Sequence, residues 1–217
     1  MDPAKINIYG PCDEAIRTMD RDILRSFGQL KLSRWDEVNI IQSVRETYQR
    51  SIRKAKRRYY EVAFEACVLA LIGYCGMEPK KAHRTAEKLI TREGVEDALE
   101  EVDPVTRYRF TEEAERKMYR LAESLEIEKN RDAEIEKAIR YWSRQAGWYA
   151  IAITDFAVML AMKEAGVDLA RWVTMEDEKV CEECRARDGK VYPLADFPAK
   201  PHLGCRCRRV PANGAKV

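Results

Sequence analysis

Apolar residues recur with the period of an α-helix along most of this chain. In two long stretches they alternate at spacings of four and three residues, a pattern typical of a helix that lies along another helix. The first stretch holds Tyr48, Ile52, Ala55, Tyr59, Val62, Ala66 and Leu69, and the second holds Ile135, Ile139, Trp142, Ala146, Tyr149, Ile153, Phe156 and Leu160. These two seams predict two long helices that pack together.

Capping and breaking residues set the expected ends of these helices. Ser33 is a candidate N-cap, and the absence of Pro and Gly between Leu32 and Gly73 lets the first helix run for roughly forty residues. The second helix is predicted to begin near Asn130 and to end at Gly166, because glycine commonly follows a helix C-terminus.

Shorter helical patterns fill the rest of the first three quarters. They cover residues 13–27, 80–92 and 95–102, and a further helix is predicted to start at Thr111 after a loop at Asp103-Pro104. The fold class is therefore predicted to be mainly α, with long paired helices that form an elongated helical body.

The last fifth of the chain is different, because it concentrates metal ligands. Cys181 and Cys184 are separated by two residues, and Cys205 and Cys207 follow shortly after His202. Cys-x-x-Cys spacing turns two thiolates toward one point, and further ligands about twenty residues later can complete a tetrahedron around Zn²⁺. The sequence thus predicts a structural zinc site.

A small β module is expected to form around this site. Asp188-Gly189, just before the β-prone residues 190–192, predicts a primed hairpin turn with positive φ at both positions. Trp172 is placed to pack this zinc-ribbon-like module onto the preceding helix. We divide the chain into a helical domain, residues 1–166, and a zinc-binding C-terminal module, residues 167–217.

Five candidate ligands compete for four positions on the ion. Side chains alternate along an extended backbone, which argues against Cys205 and Cys207 both reaching one ion. The favoured set is Cys181, Cys184, His202 and Cys205, and the alternative set replaces His202 with Cys207. Disulfides or free thiols are a further alternative. A catalytic zinc is less favoured, because it needs three protein ligands and an open position.

Composition and charge are those of a folded protein with an uneven charge distribution. The chain is 46% hydrophobic and 35% charged, with a net charge of +2. Residues 31–60 carry nine Lys or Arg against three Asp or Glu, whereas residues 93–136 carry seven against fifteen. The chain is therefore basic in one part and acidic in another.

The basic part lies on the first long helix. Its cations are Arg50, Arg53, Lys54, Lys56, Arg57 and Arg58. Such a row can neutralise phosphates or face an acidic protein partner. The plainer interpretation, which base rates favour, is a solvated helix face paired in part with this chain's own acidic segment.

Several other residues have ordinary expected roles. The start of the chain has no secretory pattern, so we expect the protein to be made in a cytoplasm. The longest uncharged stretch, residues 66–77, is too short to span a bilayer, so we expect no membrane association. Cys67 and Cys75 are expected to be buried, Cys12 to be a surface or cap residue, and Asp155 to face solvent or pair with an arginine.

The C-terminal residues together resemble a known family, the phage head morphogenesis or minor capsid proteins similar to protein F of phage Mu. The matching residues are Trp172, Thr174, Asp177, Val180, Cys181, Cys184, Asp188, Gly189, Tyr192, Pro201, His202, Cys205, Arg206 and Cys207. One departure is visible, since Leu203-Gly204 stands where family members often have Pro-Asn.

The resemblance implies a non-enzymatic protein of virus assembly. It implies docking on the portal protein or on the inner shell of the major capsid protein, a part in head assembly and DNA packaging or ejection, and a location in the capsid interior or at the portal vertex after assembly in the host cytoplasm. Two alternatives stay open: a zinc protein that binds double-stranded DNA, and a metal-dependent enzyme such as a nuclease. The enzyme is disfavoured because neither histidine has the His-x-Glu pattern of deaminases.

Overall fold

A computed structural model describes residues 3–31, 37–101, 109–127, 129–175 and 180–212. Within these ranges the chain forms seven α-helices and one three-stranded antiparallel sheet. The elements are α1 (Gly10–Gly28), α2 (Glu37–Gly73), α3 (Pro79–Leu89), α4 (Arg92–Glu100), α5 (Phe110–Ile127), α6 (Arg131–Glu164), β1 (Leu169–Val173), α7 (Glu182–Arg187), β2 (Val191–Pro193) and β3 (Arg208–Pro211). The predicted fold class, mainly α with a small C-terminal β module, is confirmed.

The two long helices pack against each other, as their seams predict. Helix α2 has 37 residues and α6 has 34. The Tyr59 hydroxyl donates a hydrogen bond to the Ala146 carbonyl at 3.0 Å, and the rings of Tyr48 and Trp142 lie 5.7 Å apart. All four residues are buried, so the seam forms the centre of the core.

Each predicted helix is present, but some boundaries differ: α3 ends at Leu89 and not at residue 92, α4 begins at Arg92 and not at residue 95, and one predicted cap is wrong. Asn130 caps α6 through a 3.2 Å hydrogen bond from the Ala133 amide. Thr111 does not cap α5, because that helix already begins at Phe110 and the Thr111 hydroxyl instead contacts Glu100. The predicted cap at Ser33 and the predicted loop at Asp103-Pro104 lie outside the described residues.

Helix α6 is long and apolar enough, by length and composition alone, to cross a membrane. About 67% of its most apolar window is buried inside the protein, however, where α1, α2 and α5 pack around it. These apolar side chains are therefore accounted for by the protein core.

Buried cysteines contribute to the same core. Cys67 and Cys75 are buried, as predicted. The prediction for Cys12 is wrong: this residue lies on α1 with no exposed surface, and burial raises the pKa of its thiol to about 12. Its position on the face of α1 that packs on α2 and α6 explains the difference.

The sheet is attached to the helical body through apolar contacts. Strand β1 lies in the middle, with β2 and β3 antiparallel on either side. Ala170, Leu194 and Val210 are buried in the same cluster as the helix residues. The proposed division at residue 166 stays a prediction, but the contacts show how the C-terminal module is held on the body.

Candidate metal centre

The Cys-x-x-Cys segment is built on the start of a short helix. Cys181 is the N-cap of α7, and its sulfur accepts a hydrogen bond from the Cys184 amide at 3.4 Å. An N-cap side chain of this kind satisfies an amide that has no partner within the helix. The helical turn also brings the Cys184 side chain round to the same side as Cys181.

The turn at Asp188-Gly189 differs from the predicted one. Gly189 has φ +73°, but Asp188 has φ −55° and ψ 134°, so only one of the two central residues has positive φ. With the Lys190 amide bonded to the Arg187 carbonyl at 3.0 Å, this is a type II turn that closes α7. The prediction of a primed hairpin is wrong because a helix, not a strand, precedes the dipeptide.

The five candidate ligands lie together in two overlapping triplets. One holds Cys181, Cys184 and His202, and the other holds Cys184, Cys205 and Cys207; the ligand atoms within each triplet lie within 4.8 Å of one another. The sulfurs of Cys184 and Cys205 are 3.5 Å apart. Two sulfurs at 2.3 Å from a tetrahedral zinc are separated by about 3.8 Å, so the spacing is close to that of a metal site.

The alternation argument against Cys205 and Cys207 does not hold in this structure. Residues 205–207 precede β3, which begins at Arg208, and they lie outside the regular ladder. The backbone there is free to bend, so both sulfurs face the same point as Cys184.

His202 presents one ring nitrogen toward the cysteines. Its Nδ1 lies 3.0 Å from the Leu203 carbonyl oxygen, and because a carbonyl only accepts, Nδ1 carries the proton. The other nitrogen, Nε2, is then available as a ligand. In metal-binding histidines, the ring nitrogen that does not bind the metal commonly donates a hydrogen bond of this kind, which orients the ring.

The thiols influence one another's ionisation strongly. Burial, followed by the bond to Cys181, raises the pKa of Cys184 to about 12, and a bond with Cys207 together with burial raises the pKa of Cys205. The same Cys205 bond lowers the pKa of Cys207 to about 5. The sulfurs thus share protons, and a divalent cation is the charge that would stabilise all of them as thiolates. The cluster could therefore hold a metal ion.

Aromatic side chains cover the cysteines on one side. Trp172 stacks on Phe197 with ring centroids 5.5 Å apart and planes 4° apart, and the Arg187 guanidinium lies 5.0 Å from the Trp172 ring. Trp172 belongs to the buried cluster that contains Cys184, Cys205 and Cys207. The prediction that it packs on the preceding helix is therefore wrong: it shields the candidate metal centre from water.

A half-buried ion pair links the ligand loop to the helical body. Lys200 Nζ lies 2.5 Å from an Asp155 carboxylate oxygen, 2.7 Å from the Tyr9 hydroxyl and 2.6 Å from the Cys205 carbonyl. The Tyr9 hydroxyl also donates to Asp155 at 2.8 Å. Asp155 was expected to face solvent or an arginine; instead its side chain is 15% exposed and pairs with lysine.

Breaking this ion pair is expected to destabilise the protein. Lys200→Met removes the cation that pairs with Asp155 and, among the described residues, leaves the Tyr9 hydroxyl as its hydrogen-bond partner. We expect a loss of about 3 kcal/mol in the free energy of unfolding, since both side chains have little exposed surface. Chemical denaturation measures this quantity. Lys190→Met, an exposed lysine of the same module, is the control; equal losses for the two variants would contradict the role assigned to Lys200.

Arginines next to the last candidate ligands bind the N-terminal part of the chain. Arg206 pairs with Asp13 at 2.9 Å, and Arg208 donates to the carbonyls of Ile6 and Ala4 at 2.9 and 2.8 Å. Arg206 and Arg208 are therefore occupied by partners within the chain.

Gly204 allows the ligand loop to approach α6 closely. Its φ is +75°, and a Cβ atom built there would lie 2.4 Å from two atoms of the Trp148 ring. Only glycine fits this position without movement of Trp148. Leu203-Gly204, where the sequence departs from the family pattern, is therefore the place at which the C-terminal module contacts α6.

The predicted basic residues of α2 lie away from the cysteine cluster and most have partners within the chain. Lys54 pairs with Asp22, Lys56 with Glu96 and Glu100, and Arg57 and Arg58 with Glu61, while Arg50 bonds to Gln29 and Arg53 is exposed. The pairs of Lys56 involve the acidic segment, as the plainer interpretation expected. A role in binding DNA or a partner stays a prediction.

Fold and site together define a mainly helical protein with a C-terminal candidate metal centre. Residues 121–210 match a family model described as Phage Mu protein F like protein. The match covers the end of α5, all of α6 and the five candidate ligands, and it confirms the family resemblance. This part of the chain, 90 of its 217 residues, is therefore similar to phage Mu protein F. No curated protein and no solved structure gives a significant match.

Sequence reasoning missed the residues that join the centre to the body. Lys200, Asp155 and Tyr9 are far apart in sequence, and nothing in the local pattern pairs them. The only available signal was Asp155 itself, a carboxylate within an apolar stretch, which indicated that some cation must lie nearby.

Proposed function

We propose that this protein is a minor capsid protein that docks on the portal or the inner shell of a tailed phage head and assists head assembly and DNA packaging or ejection. The observation that carries the proposal is the family match across residues 121–210, which includes the cysteine cluster. The long paired helices suit a docking role, since they provide an extended and rigid surface.

In this proposal the metal is a structural zinc. Cys184 belongs to both triplets, and the remaining ligands are Cys181, His202 and Cys205, with Cys207 in place of His202 as the alternative. The donor set of sulfur and imidazole suits Zn²⁺. The ion would tie α7 to the loop before β3 and so order a module that has few apolar residues of its own.

Cobalt substitution distinguishes the two ligand sets. We expect His202→Ala to shift the Co²⁺ spectrum and to weaken metal affinity by at least about 10- to 100-fold. That range is typical for the loss of a residue that only supports a ligand, so the loss of a ligand itself should cost no less. Cys207→Ser should leave the spectrum of a Cys₃His site nearly unchanged. The opposite result, an unchanged spectrum for His202→Ala and a changed one for Cys207→Ser, would assign Cys207 as the fourth ligand.

We propose no catalytic activity. A structural zinc uses four protein ligands, and the presence of five candidates in two triplets that share Cys184 favours a closed site over one with an open position. The exposed Glu182 and Glu183 lie on the first turn of α7, where acidic residues favour the helix dipole.

Particle composition tests the proposed role. Co-expression of this chain with the portal and major capsid proteins of the same genome should yield heads that contain it, and it should co-purify with the portal in the absence of the shell protein. Lys80→Gln, an exposed α3 variant, should behave as wild type. Absence from purified heads and from the portal fraction would refute the proposal.

A further inference from the structure

Helices α5 and α6 present matching polar stripes to a shared groove of about 440 Å³. On each helix the lining residues are spaced at i, i+3, i+4 and i+7, which places them on one face. The stripes are Lys117, Arg120, Leu121 and Ser124 on α5, and Lys137, Arg140, Tyr141 and Arg144 on α6; Tyr48, Glu134 and Ala138 complete the lining.

The groove is strongly positive. Five of its lining residues are cations and one is a carboxylate, Glu134, which is already paired with Lys137 at 2.5 Å. Arg140 pairs at 3.8 Å with Glu136, outside the groove lining. Neighbouring helices usually face each other with opposite charges, because like charges in proximity cost free energy. An anion in the groove would offset that cost.

Aromatic rings hold two of the cations in place. Lys117 Nζ lies 3.8 Å from the centre of the Tyr141 ring, and the Arg144 guanidinium lies 5.8 Å from the same ring and 5.3 Å from Trp148. The Tyr141 hydroxyl is itself bonded to Glu113 and to Gln145, which fixes the ring. These contacts orient the cations without neutralising them.

Three cations are left to meet a ligand. Among the described residues, Lys117, Arg120 and Arg144 form no ion pair with a carboxylate, and the heads of Arg120 and Arg144 are exposed. Burial and then the charge of Arg116 lower the pKa of Lys117; Arg120 and Arg144 act in the same direction, and Glu113 acts against them. Lys117 therefore lies in the positive field of its neighbouring arginines.

We infer that this groove binds the phosphate backbone of a nucleic acid. The stripe from residue 137 to residue 144 spans about 10.5 Å at 1.5 Å per residue. That length matches the axial rise of about three nucleotides at 3.4 Å each. Guanidinium groups bind phosphate with paired hydrogen bonds, and a regular row of cations fits regularly spaced phosphates better than the irregular carboxylates of an acidic peptide. The choice of double-stranded DNA rests on the proposed head function.

The cationic groove could not be predicted from the charge counts, because the sequence around α5 is acidic. Residues 93–136 have an excess of Asp and Glu, so charge counting along the chain indicated an acidic region and directed attention to α2. Among the described residues, Glu134 is the one carboxylate of that region in the groove lining, and the cations of α5 combine with those of α6 at residues 137–144, which lie outside the counted region.

Duplex DNA binding by the full-length, metal-loaded protein tests the inference. The triple variant K117Q/R120Q/R144Q should bind a 20-base-pair duplex at least about tenfold more weakly at 0.1 M salt, and its plot of log K against log salt should be shallower by roughly 3, about 0.9 for each lost phosphate contact. Arg120→Gln alone should reduce the slope by about one third as much as the triple variant does. This single variant covers the case in which the triple variant fails to fold.

The control removes the same charge from a different surface. K80Q/K81Q/K88Q changes three exposed lysines of α3 and should bind within about twofold of wild type. The inference is overturned if the groove variants bind DNA as tightly as wild type, or if the α3 control loses as much affinity as they do. It is also overturned if only R50Q/R53Q/R57Q on α2 loses affinity, or if the wild-type protein does not bind DNA at low salt. Displacement of DNA by polyglutamate at equal charge would assign an acidic protein instead, and binding of inorganic phosphate without duplex would assign a small anion; either overturns the inference. None of these results affects particle composition, which tests the head function separately.

Discussion

Replacing Cys184 with serine is expected to abolish metal binding and to unfold the C-terminal module. Cys184 is the one candidate ligand shared by both triplets, so its loss leaves at most two neighbouring donors in either group. Loss of a structural metal is among the few single changes that cost more than about 4 kcal/mol. Elemental analysis should fall from one zinc per chain to none, and limited proteolysis should cleave residues 167–212 while the helices resist.

The matched control is a cysteine of similar burial outside the cluster. Cys67→Ser changes a fully buried thiol on α2 and should keep one zinc per chain, even though a buried hydroxyl in this apolar position lowers stability. If Cys184→Ser keeps full zinc content, or if both variants lose zinc equally, the cluster is not the metal site.

Gly204→Ala is expected to destabilise the protein strongly, although Gly204 is not a candidate ligand. The positive φ costs an alanine about 1 kcal/mol or more, and the new methyl group would overlap the Trp148 ring, which adds roughly 1 to 3 kcal/mol. We expect the free energy of unfolding to fall by about 3 kcal/mol, measured by chemical denaturation of the metal-loaded protein.

Gly189 separates the two contributions. It has a nearly equal φ of +73°, but no atom lies within 4 Å of a Cβ built there, so Gly189→Ala carries only the backbone cost of about 1 kcal/mol. Combining Gly204→Ala with Trp148→Ala should recover the steric part, with a coupling energy of about 1 to 3 kcal/mol. Equal losses for the two glycines, or no coupling, would show that the module does not pack on α6 in this way.

The long helices and the ligands could be predicted from sequence because each depends on local spacing. The seams of α2 and α6 repeat with the helical period, and Cys181 and Cys184 share one turn of chain. The turn at Asp188-Gly189 could not be predicted correctly, because its type depends on whether a strand or a helix comes before it. A dipeptide carries no information about that.

Features that depend on distant residues were beyond sequence reasoning. The burial of Cys12 follows from which face of α1 meets the long helices, and the pairing of Lys200 with Asp155 joins two parts of the chain that share no pattern. The cationic groove combines α5, whose sequence has more acidic than basic residues, with α6, whose acidic and basic residues are equal in number. In each case the tertiary arrangement, not the local composition, determines the environment of the side chain.

The claim that a single ion organises the C-terminal module is tested most directly by anomalous diffraction from crystals of the purified protein, recorded at the zinc absorption edge. The expected result is one peak per chain at about 2.3 Å from the sulfur of Cys184, with three further ligands from Cys181, His202, Cys205 and Cys207 around it. A map with no peak between these residues, or with Cys184 and Cys205 joined by a disulfide, would contradict the account.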